Sequence, residues 1–247
     1  MIEIFGTMFL LMFLGVPIYY VLAGACVVYF GVNGIPIWTV IQRQFTGLNT
    51  FVQVAIPMFI LAGNLMDAGG ALDRIVNFAE ATVGRFKGGM AHVNILASMM
   101  FAGVTGSAVA DVAALGPLEI EMMTSQGYEK EYATAVTVSS ACIGPIIPPS
   151  LPLIMFGVVS GPSVGALLMA GAVPGIVMGV ALMIQVAYVA HKYNLPTSRA
   201  YPFKEMIRTF IPAISAMSIV IIVLGGIYTG FFTPTEAAGV ACLVAFV

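Results

Sequence analysis

Charge is what this sequence carries least of. Lysine and arginine together number 9 and aspartate and glutamate 11, so 8% of the 247 residues are charged while 60% are hydrophobic. Soluble domains carry about a quarter charged residues, so a water-soluble globule is excluded and lipid is the solvent for most of the chain. Basic runs are missing too, and with a formal net charge of −2 nothing suggests nucleic acid as a partner. Cysteine is scarce: Cys26, Cys142 and Cys242 each sit inside an apolar segment. They have no pairing or metal-ligand spacing and read as small buried hydrophobes. His92 and His191 lack a second ligand at helical spacing, which speaks against a zinc site. The charge-free runs lack the clustered acid–base residues of a membrane enzyme. Alternation of apolar and polar residues over ~10-residue segments, the mark of a barrel strand, is also missing. The opening Met-Ile-Glu-Ile-Phe-Gly has neither the basic region nor the cleavage site of a signal peptide, so its apolar run is expected to remain as an anchor.

What the sequence has instead is long uncharged runs. Residues 4–42, 44–66, 88–110, 132–190 and 209–235 contain no Asp, Glu, Lys or Arg. About 20 apolar residues cross the hydrocarbon core, which predicts an all-α polytopic membrane protein whose 132–190 run crosses twice. Residues 4–32 read as one long tilted helix, with a kink at Gly15-Val-Pro17. A polar connection over 33–50 follows, in which Trp38 suits the interface belt, and then a span over 51–66. In 69–87, Leu72, Ile75, Val76, Ala79, Val83 and Phe86 keep helical spacing while Phe78 falls off the stripe. That segment fits an amphipathic arm in the interface and a plain connecting helix equally well. Residues 90–103 enter the bilayer and 108–123 leave it, a re-entrant hairpin with its tip at Gly106-Ser107. Residues 132–160 form a span broken by prolines. Residues 164–190 form another, in which Gly171-Ala-Val-Pro-Gly175 marks a close contact or a kink, and 209–230 span again. Thr233-Pro-Thr-Glu236 matches a capping box with Pro234 at the first helical position.

Basic residues orient the chain. With the loop holding Lys192, Arg199, Lys204 and Arg208 in the cytoplasm, Arg74, Arg85, Lys87 and Lys130 fall on the same side and only Arg43 outside. The count works only if 90–123 is a hairpin that does not cross. The last helix reaches residue 247 after ~20 Å, short of the ~30 Å core. The sequence is therefore expected to be part of a longer protein and not to transport by itself.

Two stretches interrupt apolar runs. The first is Gly103-Val-Thr-Gly-Ser-Ala-Val-Ala-Asp111 and the second Gly144-Pro-Ile-Ile-Pro-Pro-Ser-Leu-Pro152. Non-helical backbone at bilayer depth is tolerated only in protein or beside a watery cavity, and paired breaks point to a transporter's binding site. Asp111 is the carboxylate of the hairpin's apolar stretch, read evenly as a coupling residue or as a stabiliser of the helix start. Gly103, Gly106 and Ser107 offer backbone and hydroxyl oxygens at an unhindered tip, or simply close packing. Pro145, Pro148, Pro149 and Pro152 remove N–H donors and so free the carbonyls of Ala141, Gly144, Pro145 and Pro148. Beside the hydroxyls of Ser139, Ser140 and Ser150 these form an oxygen-rich site suited to a hard cation. A ligand-free hinge is the competing reading.

These motifs resemble those of the large membrane subunit of TRAP (tripartite ATP-independent periplasmic) transporters, the DctM-like family. The resemblance also runs through Ile56-Pro-Met-Phe-Ile-Leu-Ala-Gly-Asn64, Gly88-Gly89, Gly127-Tyr128, Pro174-Gly175 and Phe232-Thr-Pro-Thr-Glu-Ala-Ala238. It implies a sodium-driven importer of organic acids such as dicarboxylates or sialic acids, multi-pass in the bacterial inner membrane. No cofactor is implied beyond sodium as coupling ion, and no enzymatic activity. The implied partners are a small membrane subunit and a periplasmic substrate-binding protein. The implied fold is the first half of an inverted-repeat elevator. In it, residues 1–88 would be scaffold spans and arm, 89–160 the transport region, and 161–247 further spans. Gly106, Ser107 and Asp111 would belong to the first hairpin tip, and Ser139, Ser140 and 148–150 to the sodium region. An ion channel is the alternative, but the repeated pore ring or filter it requires is not in the sequence.

Overall fold

A computed structural model describes residues 2–198 and 201–246, with the backbone alone for Phe203. Arg199, one of the orienting basic residues, lies outside the described residues. Among those described every regular element is helical, and the one β-type pairing is an isolated bridge between Lys87 and Thr197. The chain divides into two compact units, 1–50 and 51–247.

In the first unit α1 (Ile2–Phe13) and α2 (Ile18–Val32) fold back on each other. The Asn33 amide, just past α2, donates to Glu3 Oε2 near the start of α1 at 3.2 Å. Gly24 gives Leu11 its place, since a Cβ there would stand 3.0 Å from Leu11 Cδ1. The single long helix expected over 4–32 is thus corrected to a helical hairpin. Gly15 adopts φ +74° and Pro17 cannot donate a helical hydrogen bond, so the chain reverses where a kink was expected. Within the expected polar connection lies α3 (Trp38–Leu48), with Trp38 exposed.

The second unit begins with a 3-10 turn (Phe51–Val54) running into α4 (Ala55–Ala68), followed by α5 (Ala71–Val83). The expected stripe is buried at Ile75, Val76 and Ala79, half-buried at Leu72 and Val83, and exposed at Phe86 beyond the end of α5. Phe78, off that stripe, packs on Phe210 with ring centroids 5.4 Å apart, so α5 has a second packed side that periodicity alone did not reveal. Next come α6 (Gly89–Thr105), α7 (Ala108–Ala114), α8 (Gly116–Ser125), α9 (Lys130–Ala141) and α10 (Leu151–Ser160). The unit closes with α11 (Val164–Lys192), α12 (Phe203–Tyr228) and α13 (Pro234–Phe246). Phe51–Ala68, α11 and the Lys204–Tyr228 part of α12 are long and apolar enough to cross a membrane.

The expected capping box is formed: Glu236 Oε2 accepts from the Thr233 N–H at 2.8 Å, and Thr233 Oγ1 from the Glu236 N–H at 3.4 Å. From that start α13 runs parallel to α4. Thr235 Oγ1 donates to the Phe51 carbonyl and Cys242 Sγ to that of Met58, at 3.2 and 3.0 Å.

Candidate functional site

α6 ends because Gly106 takes φ +59°, a left-handed conformation that stops a helix and favours glycine. Ser107 then turns extended and caps α7, its Oγ accepting from the Ala110 N–H at 3.4 Å. The arm returns antiparallel to α6, which brings Asn94, early in α6, to Met123, late in α8, at 3.8 Å.

The hairpin tip sits on the proline break. A Cβ on Gly106 would collide with the Pro149 carbonyl oxygen, and one on Gly144 would lie 3.1 Å from the Ser107 carbonyl carbon. On the other side α11 brings Gly171 against the Ile146 carbonyl and Gly175 against the Ile147 side chain, where a Cβ would collide with the Ile146 oxygen and with Ile147 Cγ1 respectively. The expected special feature at Gly171-Ala-Val-Pro-Gly175 is therefore a close contact, and α11 continues through Pro174. The two stretches that interrupt apolar runs meet in space, with the proline segment clamped between the hairpin tip and the glycine face of α11.

Within the break the expected free carbonyls are partly taken. The Ala141 carbonyl accepts from the Gly144 N–H at 3.0 Å, because the chain turns as soon as α9 stops. The Pro145 carbonyl accepts from the Ser150 hydroxyl, which also caps α10 by accepting from the Leu153 N–H at 3.2 Å. Among the described residues no hydrogen bond reaches the Gly144 and Pro148 carbonyls. Pro148 and Pro149 are joined by a cis peptide bond. α7 and α10 thus begin beside each other at Ser107 and Ser150, with their N-terminal dipole ends at the clamp.

The remaining candidates divide. Gly103 faces α12, where a Cβ would stand 2.9 Å from Val220 Cγ2, so its contact is packing away from the clamp. Ser139 points outward and donates to the Ala135 carbonyl at 2.7 Å. Ser140 is fully buried beneath the hairpin. Its Oγ lies 2.8 Å from Asn94 Oδ1 and accepts from Ser98 at 3.1 Å, while Asn94 Nδ2 donates to Thr137 Oγ1 at 2.7 Å.

Asp111 is buried at this inner face, 2% exposed, with Oδ1 unpartnered. The Ser98 hydroxyl is spent on Ser140. A second carboxylate lies here that sequence reasoning missed. Glu119 is 4% exposed and neither of its oxygens has a partner. Asp111, Leu115, Glu119 and Met123 follow one another at intervals of four, all buried, so both acids share the inward stripe of the returning arm. That spacing is the signal available in the sequence, and it is hidden because Asp111 alone stands in the Gly-Ser break. Charged together, the two carboxylates repel. Thr105 adds an unpartnered buried hydroxyl next to the tip. Uncompensated oxygens of this kind fit a small hard cation.

A family model for the "Tripartite ATP-independent periplasmic transporter, DctM component" matches residues 5–247. The chain belongs to the DctM family. It is 42% identical to the sialic acid TRAP transporter large permease of Vibrio cholerae over 83% of this chain and 48% of that protein. It is 40% identical to the 2,3-diketo-L-gulonate TRAP transporter large permease of Escherichia coli, over 94% of this chain and 55% of that protein. To the C4-dicarboxylate TRAP transporter large permease of Rhodobacter capsulatus it is 37% identical, over 98% and 59%. The chain spans about half the length of the curated relatives it matches. DctM proteins are permease subunits, not enzymes.

Proposed function

We propose that this chain is part of the large permease subunit of a sodium-driven, binding-protein-dependent transporter that imports an organic acid across the bacterial inner membrane. It would work with a small membrane subunit and a periplasmic binding protein, as the family resemblance implies. Residues 89–160 act as the transport region, with α6–α8 as a re-entrant hairpin. Residues 1–88 act as scaffold and arm, 161–247 as further spans, and the hairpin region moves as an elevator. The observation that carries this reading is the seating of Gly106-Ser107 on the broken segment 144–150, which joins unwound backbone from two parts of the chain.

Sodium fits the oxygens described. Among the described residues the Gly144 and Pro148 carbonyls, the Thr105 hydroxyl and Asp111 Oδ1 are hard donors without a hydrogen-bond partner, and Glu119, further along the arm beside Asn94 and Ala97, adds a second carboxylate. The ion would supply positive charge against these oxygens and so link its own gradient to the hairpin's position. The neighbouring N-terminal ends of α7 and α10 favour a carboxylate, which suits the organic acids that the relatives' names mention. The test is uptake of labelled dicarboxylates and sialic acids into proteoliposomes holding the intact permease, its small partner and candidate binding proteins. Accumulation should require an inward sodium gradient. Accumulation unaffected by sodium would overturn the coupling, and steady single-channel currents would replace transport with a channel.

A further inference from the structure

A cavity of about 530 Å³ lies away from the clamp, between the corner that follows α5 and the last third of α11. One wall is a single face of α11, with Val180, Met183, Ile184 and Ala187 at helical spacing and His191 one turn further on. Facing it, the turn after α5 presents Arg85 and Lys87. Among the described residues no acidic side chain lines the cavity. The two cations have neutral partners: Arg85 lies over the Phe86 ring, 5.3 Å from its centroid, and Lys87 Nζ donates to Asn194 Oδ1 at 3.4 Å. Glu80, the nearest acid along the chain, instead accepts from the Ser198 hydroxyl at 3.1 Å.

The turn that carries the cations is held in place. Residues 193–198 strap across it through Gly88 N–H to the Pro196 carbonyl and Ser198 N–H to the Gly84 carbonyl, both 3.1 Å. A Cβ on Gly88 would lie 2.7 Å from that of Ala190, which shows how closely the turn packs on α11. At 29 residues, α11 is about 43 Å long against a hydrocarbon core of about 30 Å. Its last turn carries His191 and Lys192, which suit the headgroup level, so the 180–191 face runs from acyl chains toward headgroups.

We propose that this cavity binds one anionic phospholipid, with its phosphate at Arg85 and Lys87 and an acyl chain along Val180, Met183 and Ile184. Cationic rim, apolar wall and interfacial depth match the two halves of such a molecule. An acidic protein segment would meet the cations but has no use for the apolar wall.

The test is native mass spectrometry of the intact permease titrated with phosphatidylglycerol or with phosphatidylcholine of the same acyl chains. One phosphatidylglycerol should be retained, and Arg85→Gln with Lys87→Gln should weaken it about 30-fold. Both side chains are exposed, so these changes leave the core untouched, and the charge-keeping exchange Arg85→Lys with Lys87→Arg should retain the lipid. Ile184→Asn should also weaken it, and millimolar inorganic phosphate should not displace it. Equal binding of phosphatidylcholine, or full binding by the Gln pair, overturns the proposal. Displacement by phosphate with no effect of Ile184→Asn makes the site a free-anion site and overturns it too. An acidic protein retained at this rim in place of lipid has the same consequence.

Discussion

At the scale of the residue, the clamp rests on atoms that leave no tolerance. Gly106→Ala would put a methyl group into the Pro149 carbonyl and force a left-handed alanine, destabilising the tip by at least about 1 kcal/mol. The expected outcome is a permease that reaches the membrane but takes up little substrate, read by surface level against labelled uptake. The acids allow a sharper test. Asp111→Asn and Glu119→Gln each keep shape and remove a charge, and each should raise the sodium concentration for half-maximal uptake. Because the two carboxylates share one buried stripe of the arm and like charges repel in a low-dielectric interior, the double variant should lose less than the product of the single losses. Strict multiplicativity would make them independent, and an unaltered sodium dependence would make both structural. Ser107→Ala should likewise raise the sodium requirement. Asp111 was legible because a lone carboxylate in a Gly-Ser break is conspicuous. Glu119 was not, since recognising it requires knowing that the arm's inward stripe runs in steps of four through Leu115.

Among the elements, the proline break was the most legible because proline's missing N–H acts locally. Less legible was where the freed carbonyls would turn. The Ala141 and Pro145 carbonyls found partners in Gly144 and Ser150, leaving a smaller set of open oxygens than proline counting suggests. Pro148→Ala with Pro149→Ala should restore helical bonding and weaken sodium dependence, and uptake with the parent's sodium affinity would reduce the break to a hinge. Ser150→Ala removes a helix cap and the Pro145 partner together. It should cost about 1 kcal/mol or more, seen as a lower unfolding midpoint in detergent. The hairpin of α1 and α2 was misread for a plain reason: a Gly-x-Pro in an apolar run fits a kink and a reversal equally. The tertiary bond from Asn33 to Glu3 and the packing of Leu11 on Gly24 separate them.

For the whole molecule, hydropathy made the all-helical class and the main spans legible, since lipid demands internal backbone pairing. Side-to-side relations came from packing instead. Cysteines placed at Glu3 and Asn33 should react with a membrane-impermeant reagent from one side, because the two ends of that hairpin adjoin. Labelling from opposite sides would restore the single crossing helix. Contacts between distant segments, such as the glycine face of α11 on Ile146 and Ile147, leave no trace in local periodicity.

The parallel pairing of α4 with α13 has a consequence for how the chain is made. Phe51 meets Thr235 and Met58 meets Cys242, both 184 positions apart. At roughly 5–20 residues per second, a ribosome needs on the order of 10–40 s to deliver the second helix after the first. During that interval α4 sits in the bilayer without its parallel neighbour, and its small residues Ala55 and Ala62 face lipid or whatever the insertion machinery provides. Biogenesis of this region therefore includes a waiting period measured in seconds, with α4 released from it only as the capped start of α13 emerges.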